Sequence, residues 1–359
     1  MTYIREPEIT IMNISMYRLY QQEISGTRFK KAEEVTAWMG ALQAQDRPQA
    51  KLAIRLRGEG IRDADVETAI LKKKIVRTWS LRGTLHFLSA ADIHWIVSLL
   101  GPKIVAGLAG QHRKLELDLS TFNKSNTILS KILRNGEQLT RKELFEEFEK
   151  KGISVEGIRG AHLLYQAALT GLICQGPMKG RQETFVLLQE WIPKRKGLDR
   201  EEALSALAKR YFTGHGPATI QDFIWWAGLT LNEGKIGLAS VQSELSKVRI
   251  NDKDYWSPSF EYTNNIINRR IYLLPGFDEF LLGYEDRSFC VPSQFNSRVV
   301  SNNGFFYPII LLDGQAIGTW KRIMKKDSNS IETNLFFPLD KPLTRILRSE
   351  IERYRDFYF

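Results

Sequence analysis

Thr140-Arg141-Lys142-Glu143-Leu144-Phe145 is the stretch whose reading decides the fold. A threonine followed three residues later by a glutamate, just ahead of apolar residues at helical spacing, is a capping box. Each side chain satisfies a backbone N–H that the helix start would leave open. The helix it opens continues through Phe148 and closes at Gly152. Upstream, Ile128, Ile132 and Leu133 mark an earlier helix. Downstream, Val155 to Thr170 predicts a third, with Leu163, Leu164, Ala167 and Ala168 turned inward. Gly171 to Gln175 and Thr184 to Leu188 then read as strands around a loop rich in Gly and Lys. Three helices and a β-hairpin in this order make the winged form of a helix-turn-helix.

The same order recurs on both sides. Before it, helices are expected at Ile14 to Gln22 and at 31 to 43, where Val35, Trp38, Met39 and Leu42 form one apolar stripe. Helical turns follow at Gln49 to Leu56 and Ala64 to Lys73. Strands are expected at Ile75 to Trp79 and Thr84 to Leu88, and a capped helix after Ser89. Beyond Pro193, a helix is expected at Glu201 to Phe212, and Thr219 with Asp222 caps another that Gly228 ends. A helix near Ile236 to Leu245 and a strand at Lys247 to Ile250 complete this copy. From Ile271 the pattern turns to strands: Ile271 to Leu274, Phe305 to Leu311, Gln315 to Lys321 and Ile331 to Phe336, with Leu343 to Tyr354 as a closing helix. The expected fold is α+β, with tandem winged helices followed by a small C-terminal β-barrel. Its units are 1–120, 121–195, 196–265 and 266–359. The first carries the Gln-Ala-Gln motif and a basic wing.

At 359 residues the chain has room for two or three domains. It carries 51 Lys+Arg against 41 Asp+Glu, a net charge of +10, which favours a polyanionic partner, nucleic acid before membrane. Cys174 and Cys290 are far apart in sequence and form no disulfide framework or cysteine zinc site, which fits a reducing cytoplasm. Met1 to Pro7 lacks a basic region followed by an apolar run, so no leader is expected. The most apolar stretch, Ile93 to Gly110, is broken by His94, Pro102 and Lys103, and reads as a core helix rather than a membrane span. No phosphate loop or nucleophile elbow occurs, and the five histidines show no ligand spacing, so neither metal nor cofactor is expected. Gly214-His215-Gly216-Pro217 reads as a turn before a helix, and His162 as a core residue.

Chemistry can sit at Leu42-Gln43-Ala44-Gln45-Asp46-Arg47-Pro48. Pro48 pushes Arg47 out of the α region, so the preceding helix is expected to end near Gln43 or Ala44. Side chains two apart face away from each other on a helix but share a side on an extended chain. Gln43 and Gln45 therefore converge only if the backbone leaves the helix here. Such a pair offers carbonyl acceptors and N–H donors with no useful pKa; it can hold a water but cannot act as a strong base. The plainer reading is that two glutamines and an aspartate finish a helix in solvent. A second candidate is the wing from Lys72 to His86. Its Arg and Lys can neutralise phosphates, while Trp79 reads better as core. Lys194-Arg195-Lys196 reads as an exposed linker.

Four blocks bring a family into view: Gln43-Ala44-Gln45; Thr78 to His86; Gly214 to Thr219 with Asp222-Phe223-Ile224-Trp225-Trp226; and Leu274 to Tyr284. In this order they resemble the AlkZ/YcaQ-type winged-helix DNA glycosylases along nearly the whole chain. The resemblance implies a concave basic channel for double-stranded, especially alkylated, DNA, and excision of alkylated bases, including unhooking of crosslinks. It makes Gln43 and Gln45 the catalytic pair, since one branch of the family uses Gln-apolar-Gln. Asp46 is the internal rival, because a carboxylate can act as base or stabilise a cation. Arg47, Lys73, Arg77, Arg82 and His86 are the expected DNA contacts. A monomeric, cytoplasmic, nucleoid-associated protein without membrane contact is expected. Two other readings fit the same sequence: a non-catalytic winged-helix regulator, which would favour a defined and often palindromic site, and a structural protein of a mobile element or toxin-resistance system.

Overall fold

The structure is a computed structural model in which residues 11–26, 28–194, 197–260, 269–325 and 328–358 are described. The segment read as lacking a leader, and Arg195-Lys196 of the basic linker, lie outside them.

The first departure from expectation comes just before the Gln43-Ala44-Gln45 motif. The stripe-bearing helix is shorter than its periodicity, Ala32–Met39, because Gly40 takes φ 72°, which favours glycine. A Cβ there would also lie 3.0 Å from Arg210 Cβ. The chain then runs extended as β1 (Ala41–Gln43). Gln43 thus stands on a strand, not a helix end. A new helix starts at once, Arg47–Leu56, with Asp46 as its N-cap and Pro48 in its first turn, where a missing N–H costs nothing.

β2 (Ile75–Trp79) and β3 (Leu85–Ser89) form the expected first hairpin. β4 (Leu139–Thr140) leads into the helix Arg141–Lys150, whose capping box is present as read. β5 (Ile173–Lys179) and β6 (Gln182–Leu187) form the second hairpin. The hairpins are not separate: β2 pairs with β5 at Arg77 and Gln175, giving one antiparallel sheet in the order β1-β3-β2-β5-β6-β4. Separate cores lie beneath its parts. Val35, Met39, Leu42, Ile54, Val66 and Phe87 pack in one; Leu129, Leu144, Phe148, Leu163 and Phe185 in another. Trp79 is half-buried against Phe185 and Tyr165, as its core reading expected.

The segment beyond Pro193 has helices Arg200–His215, Ile220–Ala227 and Leu231–Val241, followed by a hairpin of β7 (Ser246–Ile250) and β8 (Lys253–Ser257). Gly214 and His215 end the first of these helices rather than forming a turn. Gly214 lets it approach the helix Ala32–Met39 so closely that a Cβ would lie 2.6 Å from the Trp38 carbonyl oxygen. The largest core surrounds this helix: Leu207, Tyr211, Phe212, Phe223, Trp226, Phe280 and Tyr284.

The expected C-terminal barrel is not closed among the described residues. β9 (Ile271–Leu274), β10 (Ile309–Leu312), β11 (Gln315–Lys325) and β12 (Ser328–Leu335) form an open antiparallel sheet in the order β12-β11-β10-β9. Four strands are too few to roll into a filled barrel. Instead the helix Lys341–Tyr358 covers one face through Leu347 and Tyr354, against Ile310, Ile317 and Trp320. The architecture is α+β.

Candidate active site

The turn between β9 and the short helix Glu279–Leu282 runs back under β1. Asp278 caps that helix, accepting from the Phe280 N–H at 2.8 Å, and takes two bonds from the Arg57 guanidinium at 2.7 and 2.9 Å. Both partners are wholly buried. Arg57 also reaches Gln22 at 2.6 Å. Removing one member of such a pair would strand a buried charge, so the turn is held firmly. Its next residue, Glu279, is thereby placed against Gln43.

Gln43 is 8 % exposed. Its N–H points away from β3 and donates to Glu279 Oε1 at 2.9 Å. Its side-chain Oε1 accepts from the Arg82 guanidinium at 3.3 Å. Arg82 also bonds the Trp226 carbonyl and sits in the β2–β3 turn at φ 53°. The chain stays extended one residue further, where the Ala44 N–H donates to the Leu85 carbonyl at 2.7 Å. Gln45 is exposed, and its Oε1 accepts from the Leu85 N–H at 3.4 Å. Both amide oxygens are therefore tied to the β2–β3 hairpin, from an extended segment on which residues two apart share a side.

Around Gln43 the surroundings are charged yet buried. Glu279 is wholly buried; its other oxygen accepts from the Trp226 indole N–H at 3.0 Å and lies 3.6 Å from His215 Nε2. Burial alone would raise its pKa. The neighbouring His215, His86 and Arg82 outweigh that and hold it down at about 2. His86 pairs with Gln43 across β1 and β3 and is completely buried. Burial, reinforced by Arg82, pushes its pKa down to about 4, so the imidazole is neutral at physiological pH. Burial lowers His215 too.

The other residues singled out in the sequence are placed as follows. Asp46 is exposed, and its Oδ1 accepts from the Gln49 N–H at 3.1 Å as a helix cap. Arg47 is 8 % exposed and forks onto Glu67 at 2.7 and 3.3 Å. Arg77 is 3 % exposed; it donates to the Ala44 carbonyl at 2.8 Å and also engages Gln45 O, Gln175 and Glu183. Arg47 and Arg77 are thus buried and engaged with protein partners, and His86 is buried beside Gln43. Lys73 is exposed, with its ammonium 4.4 Å over the Trp191 ring. Sequence reasoning gave no role to Glu279, Trp226 or His215. A readable trace of the first existed: two adjacent carboxylates, Asp278 and Glu279, inside the apolar run from Leu273 to Leu282. Charges so placed are seldom buried without partners.

Among the described residues no helix is long and apolar enough to cross a membrane, and no group of three or more His, Cys, Asp or Glu side chains could hold a metal ion.

Comparison with known proteins agrees with the blocks quoted above. The family model described as DNA glycosylase AlkZ-like matches residues 36–357. The interstrand DNA cross-link repair glycosylase of Streptomyces sahachiroi is 26 % identical over 320 residues, covering 85 % of this chain and 86 % of that protein. The solved structure of the Streptomyces sahachiroi DNA glycosylase AlkZ superposes with a TM-score of 0.80 at 22 % identity over 95 % of each chain.

Proposed function

The chain belongs to the DNA glycosylase AlkZ-like family, and from that premise we propose that this DNA glycosylase excises cationic alkylated purines, N7-alkylguanine and N3-alkyladenine, from duplex DNA. Interstrand crosslinks built on such bases are included, as the name of the Streptomyces relative suggests. The reaction suits two amides. The C1′–N9 bond breaks with both electrons going to the base, whose positive charge they cancel. The base leaves neutral, so no acid is needed. The sugar is left oxocarbenium-like; a water held between Gln43 and Gln45 adds to C1′ and gives its proton to solvent.

The observation that carries this reading is the anchoring of both amide oxygens to one hairpin, by Arg82 and by the Leu85 N–H. Tied at their oxygens, the amides are pre-aimed rather than loose, which is what a positioned water requires. Asp46, occupied as a cap, is the weaker choice for the chemistry.

We read the helix–hairpin units as winged helices, with the unit boundaries expected from the sequence. Exposed Lys72, Lys73 and Lys74 at the root of the first wing, and Lys179 and Arg181 on the second, are proposed to meet phosphates. Arg82 is proposed to aim Gln43. The test is direct: duplex DNA carrying N7-methylguanine is incubated with the wild type and with Gln43→Ala and Gln45→Ala. Released 7-methylguanine from the wild type alone supports the reading. Equal release from all three would refute it, and loss only in Asp46→Asn would move the chemistry to the neighbour.

A further inference from the structure

Glu279 is a charged group at the site that the glutamine reading leaves unused. It reaches Gln43 from the far end of the chain and is completely buried. A carboxylate is not needed merely to hold an N–H; a neutral carbonyl would do so without the cost of burying a charge. The neighbours show what the charge is against. The Arg82 guanidinium lies on the other side of Gln43, bonded to its side-chain oxygen. Left alone, that positive charge would oppose the cation forming on the sugar. His86 and His215 are both shifted toward the neutral form, which leaves Arg82 as the standing positive charge among the three groups that lower the Glu279 pKa, while Arg57 is already matched by Asp278.

Resting on the glutamine-held water above, we propose that Glu279 is a positioning residue that fixes Gln43 through its backbone N–H and supplies the fixed negative charge that offsets Arg82 and favours the oxocarbenium-like sugar. The amide pair is neutral, so the site's anionic character comes from one hydrogen bond behind it. In buried surroundings a fixed charge acts strongly and needs no reorganisation as the bond breaks. Trp226 serves this arrangement by satisfying the second carboxylate oxygen.

Glu279→Gln removes the charge while keeping an oxygen for the Gln43 N–H, so charge and tethering are separated. Single-turnover release of 7-methylguanine from duplex DNA, affinity for that DNA and a thermal melt are measured on the purified full chain. The rate should fall by about tenfold or more with affinity unchanged within about twofold. Trp226→Phe keeps the charge but removes the bond to its second oxygen, so it should lose less rate than Glu279→Gln. Should the new amide clash with the indole N–H and prevent folding, the double variant Glu279→Gln/Trp226→Phe replaces the single one and carries the same expectation. A rate for Glu279→Gln, or for the double variant, within about threefold of wild type overturns the proposal. So does a loss in Trp226→Phe as large as theirs, which would mark a scaffold and not a charge. If the wild type releases no base, the water-holding reading itself has failed, a result distinct from a variant that keeps the wild-type rate.

Discussion

Gln43→Ala tests the site most cleanly because two of its three ties are main-chain. The N–H that meets Glu279 and the β1–β3 ladder both survive the change. What is lost is the side-chain oxygen that accepts from Arg82 at 3.3 Å. A hydrogen bond to a charged donor is worth about 1.5–3 kcal/mol. Arg82 keeps its bond to the Trp226 carbonyl, so the lower part of that range applies, and a small cavity adds little to it. Against a typical stability of about 5–15 kcal/mol, the variant should remain folded. Its catalytic loss should be larger: removing one preorganised polar group costs about 10²–10³ in rate, roughly 2.7–4 kcal/mol. The assay is single-turnover release of 7-methylguanine at saturating enzyme, alongside DNA affinity and a urea melt. The reasoning is refuted if the rate stays within about threefold of wild type, or if rate and affinity fall together because the fold has gone.

Other consequences follow from the same geometry. Excision should be flat across neutral pH, since Glu279 titrates at about 2 and His86 at about 4; a rate profile with a midpoint near 7 would contradict this. His86 also gives stability a pH dependence. Its folded pKa lies below the ordinary value of about 6.5, so its contribution is complete above that pH and is lost as pH falls toward about 4; melts between pH 7 and pH 4 would show it. Asp278→Asn leaves Arg57 buried without its ionic partner and should destabilise by about 3–5 kcal/mol, read as a lower urea midpoint. Replacing Lys72, Lys73 and Lys74 together with alanine should weaken DNA binding at low salt. It should also flatten the salt dependence by up to about 0.9 in log–log slope per lysine that meets a phosphate, with the rate on bound DNA unchanged.

Local signals made much of this molecule readable. The capping box at Thr140 and Glu143, the β-branched and aromatic residues of Ile75 to Trp79 and the left-handed stop at Gly228 are decided by a few neighbouring residues. Non-local events were not readable. The apolar stripe of the helix at Ala32 continues to Leu42, yet Gly40 breaks it because the helix Arg200–His215 passes there. The merging of two hairpins at Arg77 and Gln175 depends on a partner nearly a hundred residues away. That the C-terminal sheet does not close among the described residues lies in which edges meet, and strand patterns do not encode that. Gln43 and Gln45 stood out as a polar pair beside a proline. Glu279 did not, because its meaning depends on Gln43 being 236 residues distant in sequence and one hydrogen bond away in space. Arg77 and His86 were expected on a DNA-facing wing, and their burial was not readable from the sequence.

The central claim is that two neutral amides deliver water to the sugar of a cationic lesion. The most direct measurement is chromatographic detection of free 7-methylguanine from methylated duplex DNA, with wild-type protein beside the Gln43→Ala/Gln45→Ala double variant at matched DNA occupancy. The account requires free base and an abasic strand from the wild type, and neither from the variant. Base released equally by both would contradict it.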